Sequence, residues 1–213
     1  MSFSIEMKKA RSSPIARIIL AHGAGAGKSS DFMQTIANEI AQRDVEVLLF
    51  DFPYMQRIQQ TGTRRPPDKM PLLETHFHEI ITQSMQNQNS MPTFIGGKSM
   101  GGRVATLIAD KCRIKGGVVF GYPFHPPGKP EKTRTSHLAD LQTPFLILQG
   151  ERDPFGTADE IKQYSLSQSI QTSIVGDGDH SFKPRKASGL SLEDNLQTAI
   201  EKTIHFIKER CIA

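Results

Sequence analysis

Short apolar runs alternate along this chain with segments whose apolar residues recur every three or four positions. Ile15–Ala21 reads as a strand, and Ser30–Arg43 as a helix with Phe32, Ile36 and Ile40 on one face. Val45–Phe52 is a second strand, and Leu72–Asn87 a second helix carrying Leu73, Phe77, Ile80 and Ile81. Thr93–Gly97 forms a third strand and Met100–Lys111 the helix after it. Gly117–Tyr122, Phe145–Gln149 and Thr172–Val175 are further strands, and Asp194–Glu209 is a closing amphipathic helix with Leu196, Ile200, Ile204 and Ile207 in register.

Strands that are apolar nearly throughout are buried on both faces, so this alternation predicts a mainly parallel sheet of about six strands in a three-layer α/β fold. In such sheets the ligand site lies off the carboxyl ends of the strands. The polar stretch Pro53–Pro71 reads as a connection, and its Arg57, Arg64 and Arg65 read first as a solvated loop. Between the fourth and fifth strands, Pro123, Pro126, Pro127 and Pro130 prevent a long crossover helix. Only a short piece around Ser136–Leu141 is expected there, with little room for a separate lid domain.

Length and charge bound the rest. A chain of 213 residues suits one domain, taken here as residues 1–213. The net charge of +4 is dispersed, and no block of Lys or Arg marks a nucleic-acid partner. No apolar run approaches a membrane span, and Met1–Pro14 is polar and basic, so a cytoplasmic protein without a membrane partner is expected. Cys112 and Cys211 lack metal-ligand spacing and read as reduced packing residues. No metal and no cofactor is expected, and the sequence is silent on oligomeric state.

The chemistry starts at Gly97-Lys98-Ser99-Met100-Gly101, a G-x-S-x-G pentapeptide between a strand and a helix. A serine on that sharp turn projects its hydroxyl from the sheet edge, and the flanking glycines let helix and strand pass closely. A serine nucleophile needs a base, and the base an orienting carboxylate. His180 follows the last strand and Asp153 the fifth, so both fall at the same sheet edge as Ser99. Glu151 competes with Asp153 for the acid position if the turn is shorter. Asp177 and Asp179 read as turn formers.

An oxyanion needs backbone N–H donors. Met100 supplies one, at the start of its helix. The loop His22-Gly23-Ala24-Gly25 supplies the other, with Ala24 the first choice and Gly25 the next. Gly23 lets backbone approach a ligand. His22 reads as a structural residue orienting the loop. His125 either lines the pocket or caps the Pro-rich loop. Gly27-Lys28-Ser29 mimics the end of a phosphate-binding loop, but the position five before Gly27 is His22 where that motif needs glycine.

The His22–Gly25 loop and Ser99 in its elbow, with Asp153 and His180 following Ser99 in that chain order, resemble the α/β-hydrolase superfamily over about Ile15–Ile207. The absence of a lid is similar to the small dienelactone-hydrolase-like branch, although dienelactone hydrolases proper carry cysteine where this chain has Ser99. Gly96–Arg103, Gly121–Pro130 and Asp179–Phe182 resemble, more narrowly, predicted hydrolases similar to testis-expressed protein 30. The resemblance implies a serine hydrolase cleaving a small-molecule ester or thioester. A peptidase or acyltransferase would share the machinery. A relative of that narrower group is a subunit of a chromatin-modifying complex, so a binding or scaffold module on the same fold is the rival expectation.

Overall fold

A computed structural model describes residues 4–86 and 91–212. The elements in chain order are β1 (Ile5–Lys8), β2 (Ala16–Ala21), α1 (Asp31–Ala41), β3 (Val45–Phe50), α2 (Pro53–Thr61), α3 (Met70–Met85), β4 (Thr93–Lys98) and α4 (Met100–Ile108). They continue with β5 (Gly116–Phe120), β6 (Phe145–Gly150), α5 (Ala158–Ile161), β7 (Ile170–Val175) and α6 (Leu192–Ile212). One seven-stranded sheet runs β1-β3-β2-β4-β5-β6-β7, parallel throughout except for the antiparallel pairing of β1 with β3.

Side chains alternate faces along each central strand, and helices cover both faces. Ile19 and Ala21 pack with Phe77, Ile80, Val104 and Ile147 on the face covered by α3 and α4. Ile18 and Leu20 pack with Ile36, Ile40, Ile200 and Ile204 on the face covered by α1 and α6. Both sides are dry, which is why β2, β3, β4 and β6 are buried at every position. The three-layer α/β expectation holds.

Three features depart from it. The sheet has seven strands and not about six, because β1 lies at the edge and is half-buried, so its I-E-M-K sequence carries no continuous apolar run. The supposed connection after β3 begins as a helix: Pro53 sits in the first turn of α2, where its missing N–H costs nothing, and Gly62 closes it at φ 68°. The fourth strand stops at Phe120, since Gly121 takes φ 70°. The β5–β6 connection carries a single 3-10 turn, Ser136–Leu138. The expected end of the second helix at Asn87, the first three residues of the polar N-terminal segment and Ala213 lie outside the described residues. No described helix is long and apolar enough to cross a membrane.

Candidate active site

The parallel strands β2, β4, β6 and β7 end at one edge, and each delivers a loop to it. Strand β4 ends at Lys98, and Ser99 then takes φ 52° and ψ −114° before α4 begins at Met100. A non-glycine residue in that region is strained and is held there by its surroundings. Here the Ser99 N–H donates to the Phe120 carbonyl at 3.1 Å, and its own carbonyl accepts from Arg103 N–H at 3.0 Å. The two glycines of the pentapeptide are steric necessities. A Cβ on Gly97 would stand 2.1 Å from the Ala21 carbonyl oxygen, and one on Gly101 2.4 Å from the same atom. The turn can be this tight only because β2 passes both positions with nothing between.

His180 arrives from the loop after β7. Its Nε2 lies 2.8 Å from Ser99 Oγ, and its Nδ1 lies 2.7 Å from Asp153 Oδ2. Asp153 is fully buried after β6. Its carboxylate accepts from Gln149 Nε2 at 2.8 Å on Oδ2, and from the Phe155 N–H at 2.8 Å on Oδ1. Glu151, the alternative acid, is turned elsewhere: its Oε2 accepts the Asp177 N–H at 2.6 Å. Asp177 and Asp179 do serve the turn. Asp179 Oδ1 accepts from the N–H groups of Ser181 and Lys183, and Asp177 binds Arg185, whose guanidinium holds that carboxyl well below its ordinary range.

A cleft of about 320 Å³ opens over Ser99 and His180. Gly23, Ala24 and Gly25 line one side, with Phe32, Met33 and Phe155 supplying much of the apolar wall. The Phe155 ring packs on the His180 ring at 4.2 Å between centroids. Met100 directly follows the serine at the first turn of α4. His22 and His125 are not among the lining residues. His22 is fully buried beneath the loop, where Nδ1 donates to the Gly23 carbonyl at 2.7 Å and Nε2 accepts the Phe52 N–H at 3.0 Å. Burial holds it neutral, below the ordinary histidine range. His125 faces α5, with Nε2 3.3 Å from Glu160 Oε1.

Lys28 of the phosphate-loop look-alike is engaged with Asp51, through both its N–H at 2.8 Å and its Nζ at 2.9 Å. Arg57 pairs with Asp68. Both cysteines are free thiols. Among the described residues no group of three His, Cys, Asp or Glu is arranged to hold a metal.

Two polar residues of the site escape sequence reasoning. Gln149 ends an apolar strand yet is fully buried. It accepts the Tyr122 N–H at 2.7 Å and donates to the carbonyls of Tyr122 and Gly156 as well as to Asp153. A glutamine at the end of F-L-I-L-Q-G was its signal, since a buried amide must be fully partnered. Lys98 is 8% exposed, and its Nζ donates to the His180 carbonyl. Its position inside the serine motif disguised it as a spacer.

The comparisons agree with this architecture. A family model described as an alpha/beta hydrolase domain matches residues 14–208. Among solved structures, an alpha-beta serine hydrolase homologue from Coxiella burnetii superposes with a TM-score of 0.73 at 12% identity, covering 95% of this chain and 90% of that one. A dienelactone hydrolase from Anabaena variabilis gives 0.71 at 20% identity, over 94% and 90% of the two chains. A serine hydrolase described as lacking a lid, from Xanthomonas campestris, gives 0.71 at 16% identity over 93% and 88%. At these identities the likeness is one of fold. No curated protein sequence matches the chain.

Proposed function

Since the chain belongs to the alpha/beta hydrolase family, we propose that it is a serine hydrolase that cleaves a small ester or thioester through an acyl-enzyme on Ser99. One observation carries this reading: the unbroken line from Ser99 Oγ to His180 Nε2 at 2.8 Å and from His180 Nδ1 to Asp153 Oδ2 at 2.7 Å. With Nδ1–H donating to the buried carboxylate, Nε2 is left as the base that faces the serine hydroxyl.

Ser99 Oγ attacks the acyl carbon and passes its proton to His180 Nε2. The imidazolium formed is stabilised by Asp153. Collapse of the tetrahedral intermediate breaks the bond to the alcohol or thiol, which leaves with that proton. Water then attacks the acyl-enzyme, again losing a proton to His180, and Ser99 is released with the carboxylic acid.

Two backbone N–H groups serve the oxyanion in this proposal, those of Met100 and Ala24. Met100 lies in the first turn of α4, where N–H groups have no intrahelical acceptor. The Gly23 carbonyl is drawn towards His22 and Tyr54, and the Ala24 carbonyl accepts from Tyr54 Oη at 2.9 Å. In a trans peptide the N–H points opposite to the carbonyl, so these bonds turn the N–H groups of Ala24 and Gly25 away from Tyr54. The narrower resemblance to hydrolases similar to testis-expressed protein 30 belongs to this proposal too, on the segments Gly96–Arg103, Gly121–Pro130 and Asp179–Phe182.

The test is fluorophosphonate labelling of the folded protein, with turnover of acyl esters of increasing chain length by the wild type and Ser99→Ala. Labelling at Ser99 and turnover that disappears in the variant are expected. A folded wild type that neither takes the probe nor turns over any ester would favour the scaffold reading.

A further inference from the structure

Lys98 is buried beside the Ser99–His180 pair, where it contributes to the lining of the cleft, and none of the chemistry above uses its ammonium. It is surrounded by four segments of the sheet edge. Its stem runs beside the β2 loop, since a Cβ on Gly23 would meet Lys98 Cγ at 3.6 Å. Its Nζ donates to the carbonyl of His180 itself. The Phe32 ring from α1 lies 5.4 Å away, in cation–π range. The fourth contact is with Gly121, at the end of β5. A Cβ there would stand 3.1 Å from Lys98 Nζ, 3.0 Å from the His180 carbonyl oxygen and 3.2 Å from His180 Nδ1. The glycine leaves open the space that the ammonium and the imidazole share.

A bland packing role fits this poorly. Burial costs the ammonium enough to push its pKa down to about 8. An apolar chain of the same length would fill the space without that cost, and the hydrogen bond goes to a backbone carbonyl and not to a carboxylate. What the ammonium supplies is a fixed attachment. It joins the residue before the serine to the backbone of the histidine, across loops that come from β4 and β7.

We propose that Lys98 is a positioning residue that holds the His180 backbone, and hence its imidazole, in line between Ser99 and Asp153. This rests on the serine-hydrolase reading. The Lys98 ammonium bonds the His180 carbonyl and not the Ser99 hydroxyl or the imidazole; without that bond the His180 loop keeps the fold but loses the alignment of Nε2 on Oγ.

The experiment compares wild type, Lys98→Met and Lys98→Gln for fluorophosphonate labelling rate, ester kcat and KM, thermal midpoint, and the downfield proton resonance of His180 Nδ1–H. In Lys98→Met, kcat and labelling rate fall by about tenfold or more while KM stays within about twofold. Its imidazole proton signal shifts or broadens, and its thermal midpoint stays level or rises. Lys98→Gln, which removes the charge and shortens the reach to the His180 carbonyl while leaving a polar side chain, gives the same kinetic and spectroscopic signature and so covers the case in which Lys98→Met does not fold. A folded Lys98→Met or Lys98→Gln with wild-type kcat, labelling rate and proton signal overturns the inference. A wild type that resists the probe at Ser99 overturns the hydrolase reading instead, so the two failures are distinct.

Discussion

His22 and His180 both follow a strand at the same sheet edge, and both have each ring nitrogen engaged. His22 gives and takes hydrogen bonds with backbone, the Gly23 carbonyl and the Phe52 N–H, in a fully buried pocket. His180 meets side chains, an ionisable carboxylate and a hydroxyl, and its ring is partly exposed at the cleft. Backbone partners cannot exchange protons with an imidazole at neutral pH, so His22 is a bracket for the loop. A serine and an aspartate at the same two nitrogens make the proton path of the proposed reaction. The residue type is the same; the partners decide what it does.

The sharpest way to break this contrast is at the partners of His180. Ser99→Ala and His180→Ala are each expected to lower ester kcat by about 10⁴-fold or more, with denaturant midpoints near wild type. A residual rate within tenfold of wild type would dissolve the distinction between the two histidines. Asp153→Asn is expected to cost roughly 10³- to 10⁴-fold, because an amide favours the wrong tautomer of His180. Glu151→Gln should stay within about fivefold, since a glutamine oxygen can still accept the Asp177 N–H. Equal losses in the two variants would count against Asp153 as the acid.

At His22 the expected signature is reversed. His22→Ala leaves the Phe52 N–H without its acceptor and opens a cavity, costing about 2–4 kcal/mol of unfolding free energy in urea titration. Whatever activity it loses should track the loosened loop and not the ester's leaving group.

The smallest effect separates the buried neutral histidines by pH. His22, His76 and His137 are all held below the ordinary value by burial, His137 at about 4 with Arg103 adding to it. Between those folded values and about 6.5, the unfolded chain binds protons that the folded chain does not. Stability is therefore complete above about pH 6.5 and is lost as pH falls towards about 4 for His137. Urea midpoints should decline from pH 7.5 to pH 5, and less steeply in His137→Gln. A flat profile would mean these histidines are not buried neutral groups.

Much of the site edge was legible because its signals are local. The apolar runs of β2, β4 and β6 declare strands buried on both faces, and the loop after each one must fall at a common edge. Gly97 and Gly101 flag a turn that tolerates no side chain. Elements whose stability comes from elsewhere were not legible. Strand β1 alternates over only four residues and owes its place to the edge of β3. Helix α2 opens on Pro53 and has only Tyr54 and Met55 buried, too little periodicity to separate it from a polar loop.

The sequence by itself determined the layered α/β architecture, the elbow at Ser99 and the short set of acids and histidines that strand ends bring to one edge. Periodicity and steric need are properties of neighbouring residues and are written locally. Only the tertiary structure decided which of them meet. Asp153 and not Glu151 faces His180, two residues apart on one turn. His22 is sealed under its loop, Gln149 holds the carboxylate, and the Lys98 ammonium reaches the His180 carbonyl across 82 positions. Hydrogen bonds form between groups within about 3 Å, and that distance is set by how loops from separate strands pack, which no local pattern records.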